Sequence, residues 1–173
     1  MPAYDRRHHI SSERAMLWAK AFLLAASQSL AFSAFAVEPA DQAPPPGYDA
    51  ALAESFGADD YGMRSYVLVI LKSGPTPMPK GEARDAMFRG HFSNMKRLAE
   101  EGKLAVAGPL DSADGWRGLF ILAVDDIEAA KALVATDPVI QHGEMVAEYH
   151  KYYGSAALMQ VNEIHARIAK KGM

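Results

Sequence analysis

Between Tyr66 and Leu71 the chain reads YVLVIL, six apolar residues without a break, set between Arg64-Ser65 and Lys72-Ser73-Gly74-Pro75. A short unbroken apolar run bounded by polar and turn residues predicts a strand buried on both faces, and therefore a central one. The GPTPMPKG stretch that follows, with three prolines and two glycines, predicts an irregular loop beside that strand, where a substrate can be covered. From Glu82 to Glu101 the spacing becomes helical. Phe88, Phe92, Met95 and Ala99 recur at four, three and four residues and predict the core-facing stripe, with Arg89, Lys96, Arg97, Glu100 and Glu101 in water. Glu82 and Asp85 suit the first turn of this helix, and Gly102 suits its end.

Leu104 to Ala107 predicts a short strand closed by Gly108-Pro109, and DSADG from Asp111 to Gly115 predicts a hairpin turn. Trp116 to Val124 (WRGLFILAV) is a second buried strand. Asp125 is expected to cap a helix over Ile127–Thr136, with Ile127, Ala130 and Val134 facing inward. Asp137-Pro138 ends that helix, since a residue before proline is pushed out of the helical region, and a loop runs on through Gly143. Met145 to Tyr153 alternates, with Val146, Glu148, His150 and Tyr152 on one face and Met145, Ala147 and Tyr149 on the other. Ser155 then caps a last helix reaching Lys170.

The order β-α-β-β-α-β plus a tail helix predicts an α+β, ferredoxin-like fold: an antiparallel four-stranded sheet with both main helices on one side. Two of its strands are apolar on both faces, so the second face needs a cover. Two copies packed sheet to sheet, a homodimer with a barrel-like interior, would supply it. The tail helix of the same chain is the rival cover.

Upstream of the domain the pattern changes character. Ala21 to Ala36 (AFLLAASQSLAFSAFA) is an apolar run of sixteen, preceded by Lys20 and closed by an A-x-A end. This predicts a secretory signal peptide over residues 1–36, cleaved after Ala36, and a periplasmic or secreted product. The run is diluted by Ser27, Gln28, Ser29 and Ser33 and falls short of the ~20 residues that span a bilayer. Residues 1–15 carry both charge signs and make a poor leader, so Met16 is expected to be the true start. Residues 37–63, with Pro44-Pro45-Pro46-Gly47 and many small residues, read as a flexible tether in which Ala50–Phe56 forms at most one helical turn.

The whole chain of 173 residues, half of them hydrophobic, suits a single domain. Removal of residues 1–36 leaves 14 basic and 19 acidic residues, a net charge of −5, and no basic face for nucleic acid. There is no cysteine, which excludes thiolate chemistry and disulfide stapling alike. No phosphate loop, H-E-x-x-H pattern or other cofactor signature is present, and no cofactor is expected.

The candidate chemistry begins with His91, one residue before Phe92 at the edge of the helix stripe, where an imidazole can reach a pocket between helix and sheet. Gly108 and Pro109 would let backbone approach a ligand, and Arg117 at the head of the third strand would hold a ligand carboxylate. Met87, His91 and Met95, at i, i+4 and i+8, form a soft set that suggests copper(I) binding as a different function for the same face. His142, His150 and His165 have no metal-ligand spacing.

The runs GHFSNMKRLAEEGKLAVAGPLD, WRGLFILAV, EAAKALVATDPVIQHGEM and EYHKYYGSAAL together resemble the YCII-related family of the dimeric α+β barrel superfamily, in particular its exported members. The resemblance covers about residues 64–158 and leaves residues 159–173 as a helical tail. It implies a ferredoxin-like protomer, a homodimer, and a small-molecule pocket in which a His-Asp pair acts. Asp137 is the first choice as partner of His91, because the resemblance places the Asp-Pro motif near the helical histidine; Asp111, directly after the Gly-Pro-Leu corner, is the second. The expected function is acid/base chemistry on a small molecule, of isomerase, lyase or hydrolase type, with a non-catalytic metabolite- or copper-binding protein as the alternative.

Overall fold

The computed structural model describes residues 44–171. The apolar run, its cleavage site, Met16 and the first part of the tether lie outside the described residues. Within them the elements run α1 (Ala50–Phe56), β1 (Met63–Ser73), α2 (Glu82–Glu100), β2 (Leu104–Pro109), β3 (Trp116–Leu122), α3 (Ile127–Val134), α4 (Pro138–Gln141), β4 (Met145–Ser155) and α5 (Val161–Ile168). A 3-10 segment, Ala156–Gln160, joins β4 to α5.

The four strands form one sheet in the order β2-β3-β1-β4, with each neighbouring pair antiparallel. That is the predicted ferredoxin-like α+β arrangement, with the unbroken apolar strand in the interior of the sheet. Val67, Val69 and Leu71 of β1 face the helices with Phe120, Leu122 and Met145 of its neighbours. Met87, Met95 and Leu98 of α2, Ala130 and Val134 of α3, and Val139 of α4 close over them. Burying an aliphatic side chain of this size is worth about 1.5–3 kcal/mol, so this layer carries most of the fold.

The helix stripe sits on a different phase from the predicted one. The buried positions of α2 are Met87, His91, Met95 and Leu98, while Phe92 is half exposed and Phe88 and Ala99 are only partly buried. The face that enters the core therefore includes the histidine, and the phenylalanines flank it. Three local expectations are also corrected. The cap of α3 is Asp126, whose side chain accepts from Ala129 N at 2.7 Å, and not Asp125. That helix ends at Val134, because Asp137 is the N-cap of a further short helix, α4, where a loop was expected. The tail is a 3-10 turn capped by Ser155 and followed by the two turns of α5, in place of one long helix.

The described part of the 37–63 stretch is more structured than a tether. Asp49 caps α1 through Leu52 N, Arg64 Nη1 donates to Phe56 O at 2.8 Å, and Tyr153 Oη donates to Asp59 Oδ2 at 2.5 Å. On the second face of the sheet Tyr66, Ala105 and Ala123 are buried, with Leu158 and Met159 of the 3-10 segment packed over them. The same chain thus covers part of this face. Trp116, Val146 and Tyr152 remain exposed.

Candidate functional site

The site is built where α2, α4 and the sheet meet. Gly90 permits the approach of α4: a Cβ added there would lie 3.0 Å from Pro138 Cγ. The next residue of α2, His91, meets the cap of α4, Asp137. His91 Nδ1 and Asp137 Oδ2 are 2.7 Å apart, with side-chain exposures of 9% and 1%. The second carboxylate oxygen, Oδ1, accepts from Val139 N at 3.1 Å as the cap of α4. A carboxylate this deep is tolerable because both of its oxygens are hydrogen-bonded.

An ionised carboxylate only accepts, so against an ionised Asp137 it is Nδ1 of His91 that donates, and in the neutral imidazole the lone pair is then on Nε2. Nε2 has no hydrogen-bond partner among the described residues and is not sealed from solvent. His91 lines a cavity of about 320 Å³ between α2 and the sheet. Phe120 stacks on the imidazole at 28° between planes, while Phe88 meets it edge-on and Phe92 at a tilt. Gly108 and Pro109 supply the corner opposite, and of all the lining residues only His91 and Arg117 are polar. Such a chamber suits an apolar body addressed by two polar groups.

The predicted residues therefore separate cleanly. His91, Gly108, Pro109 and Arg117 line the cavity, and Asp137 stands behind His91. Asp111 does not join them: it is exposed, makes a turn of its own by accepting from Ala113 N at 3.2 Å, and is absent from the lining. The partner of His91 is Asp137 and not Asp111, because the α4 cap brings Asp137 to the ring while the hairpin turn carries Asp111 outward. Of the soft set, Met87 and Met95 belong to the apolar core, Met95 also lines the cavity, and His91 Nδ1 pairs with Asp137. Among the described residues no group of three or more His, Cys, Asp or Glu is placed to hold a metal ion, and no helix is long and apolar enough to cross a membrane.

Glu144 was not foreseen. Its side chain is 2% exposed, and it accepts from Arg84 Nη2 at 2.8 Å and from Met78 N at 2.6 Å, with Arg117 Nη1 3.9 Å away. Burial alone would raise this carboxyl, but the hydrogen bonds from Met78 and Arg84 and the charges of Arg84 and Arg117 outweigh it and hold it below the ordinary glutamate value. Gly74 N and Thr76 N donate to Glu144 O and Gly143 O, so the proline loop is strapped to the start of β4. A Cβ on Gly74 would come within 2.2 Å of Gly143 O, so the strap requires glycine there. Nothing in the local sequence marks Glu144, since its partners come from three distant segments. A larger groove of about 850 Å³, between α2, β2 and α5, adjoins the cavity and holds His165 at its rim.

Comparison with family models matches residues 65–150 to the YCII-related domain. The chain belongs to the YCII-related domain family. The matched stretch holds His91, Asp137, Glu144 and the whole lining of the cavity, whereas α1 and α5 fall outside it. No curated protein matches the chain significantly.

Proposed function

We propose that the YCII-related domain binds a small organic molecule in the cavity and moves a proton on it, with His91 Nε2 as the general base and acid. The observation that carries this reading is the buried 2.7 Å contact between His91 Nδ1 and Asp137 Oδ2, which leaves Nε2 without a hydrogen-bond partner among the described residues. Asp137 is then a positioning residue. It holds the ring and its tautomer and stabilises the imidazolium formed when Nε2 takes a proton. Isomerisation, elimination and hydrolysis of an activated ring all need only this proton movement, and the apolar lining of Phe88, Phe92 and Phe120 favours a flat or hydrocarbon body.

The working form of the protein in this reading is exported and dimeric. Export rests on the apolar run at 21–36 and its A-x-A end. Dimerisation rests on Trp116, Val146 and Tyr152, large side chains exposed on the part of the sheet that Leu158 and Met159 leave uncovered. Sedimentation as a monomer at micromolar concentration would count against it.

The function is tested by incubating the protein with a small-molecule extract in heavy water and profiling masses. A metabolite that gains deuterium or disappears with wild type, and not with His91→Ala, is the expected result. Profiles identical to the buffer control for wild type would leave a binding protein in place of an enzyme. Wild-type and His91→Ala profiles that change alike would take His91 out of the chemistry.

A further inference from the structure

Arg117 is the one charged side chain lining the cavity, and its guanidinium donates no hydrogen bond to any described residue. Its nearest carboxylate is already committed. Glu144 Oε1 accepts from Arg84 Nη2 at 2.8 Å and Oε2 from Met78 N at 2.6 Å, leaving Arg117 Nη1 at 3.9 Å, beyond hydrogen-bond length. Two guanidinium groups thus share one buried carboxylate, and the excess positive charge falls on the one that faces the cavity. From the next strands the charged neighbours are Lys72 and Glu148, which pair with each other, Lys72 lying over the Trp116 ring. The Arg117 side chain is 27% exposed, so its donors are partly desolvated and unspent.

A planar oxyanion is the group that fits a forked, unspent guanidinium at the rim of an apolar chamber. A phosphate dianion would want more donors than this lining offers, since His91 and Arg117 are its only polar side chains. We propose that the cavity takes a small organic carboxylate, its carboxylate group held by Arg117 and its compact apolar or aromatic body packed among Phe88, Phe92 and Phe120 beside His91. This deepens the proton-transfer reading and rests on it for the reaction; the binding of the anion stands apart from any turnover.

The test follows the methyl signals of Met95 and Met145, both in the lining, by NMR during titration with benzoate and hexanoate and with their neutral amides, benzamide and hexanamide. Wild type is expected to show saturable shifts for at least one anion and a preference of about ten- to a hundredfold over its amide, the range of a charge-assisted hydrogen-bonded pair. Arg117→Gln should abolish that preference, while Lys96→Gln, which removes a cation outside this lining, should keep it. The titration reads binding and no turnover, so a failure of the proton-transfer reading leaves this preference in place and is told apart from a failure of this one. Equal binding of anion and amide by wild type, a preference that survives Arg117→Gln, or no saturable shift with either anion at millimolar concentration would overturn the proposal.

Discussion

His91–Asp137 and His150–Glu148 are both histidine–carboxylate pairs closed at 2.7 Å, and they live on opposite sides of the sheet. The exposed pair is local. His150 and Glu148 stand two residues apart on the outer face of β4, exposed by 50% and 43%, and Glu148 also receives Lys72. Its carboxyl is held below the ordinary value first by the Lys72 hydrogen bond and then by that of His150. The inner pair joins residues 46 positions apart, has a single carboxylate held between a histidine and the backbone of the α4 cap, and its histidine lines a cavity with the other ring nitrogen unpartnered among the described residues. A short distance alone therefore says little. Dehydration, a second anchor for the carboxylate and an unspent ring nitrogen facing a chamber are what separate a candidate site from a surface contact.

The contrast is sharpest under deletion of the carboxylates. Asp137→Ala removes the partner of a buried histidine and the cap of α4 together, and should cost about 3 kcal/mol in chemical denaturation. Glu148→Ala should leave the unfolding free energy close to wild type, as exposed pairs do. Similar losses at the two positions would erase the distinction.

A second effect separates buried from exposed carboxylates by pH, with Glu144 as the buried case. Its folded carboxyl lies below the unfolded value, so its contribution is fully present above the unfolded value and is lost as pH falls through the folded one. Wild type should therefore be more stable than Glu144→Gln at neutral pH, with the gap narrowing in acid. A gap unchanged from neutral to strongly acidic pH would show that the Arg84 and Arg117 charges do not act on Glu144. The smallest effect concerns salt. At about 1 M salt the screening length is near 3 Å, so any stability change from His150→Gln should vanish, while the loss from Asp137→Ala should persist.

Much of this architecture is legible from periodicity, because strands such as YVLVIL have one outcome in a small sheet protein and Gly102 marks the end of α2. The phase of α2 is not. Phe88 and Phe92 are the most hydrophobic residues of the helix and look like its core stripe, yet they wall a cavity, while His91, scored as polar, occupies the buried row with Met87, Met95 and Leu98. A histidine can take that place only because Asp137 satisfies it, and that partner is 46 residues distant. The same blindness hides Glu144, whose meaning lies in Arg84, Met78 and Arg117. It also hides α4, which at four residues is too short to show a period. Asp137 was legible as a helix terminator and, through the family resemblance, as the first choice of partner for His91; its capping of α4 emerges only from the fold.

The central claim is that Asp137 fixes His91 so that Nε2 offers a lone pair to the cavity. Long-range nitrogen–proton NMR of the neutral imidazole reads this directly. The expected spectrum for His91 shows Nδ1 protonated and Nε2 bare, with that preference weakened in Asp137→Ala. A wild-type His91 carrying its proton on Nε2 would contradict the account.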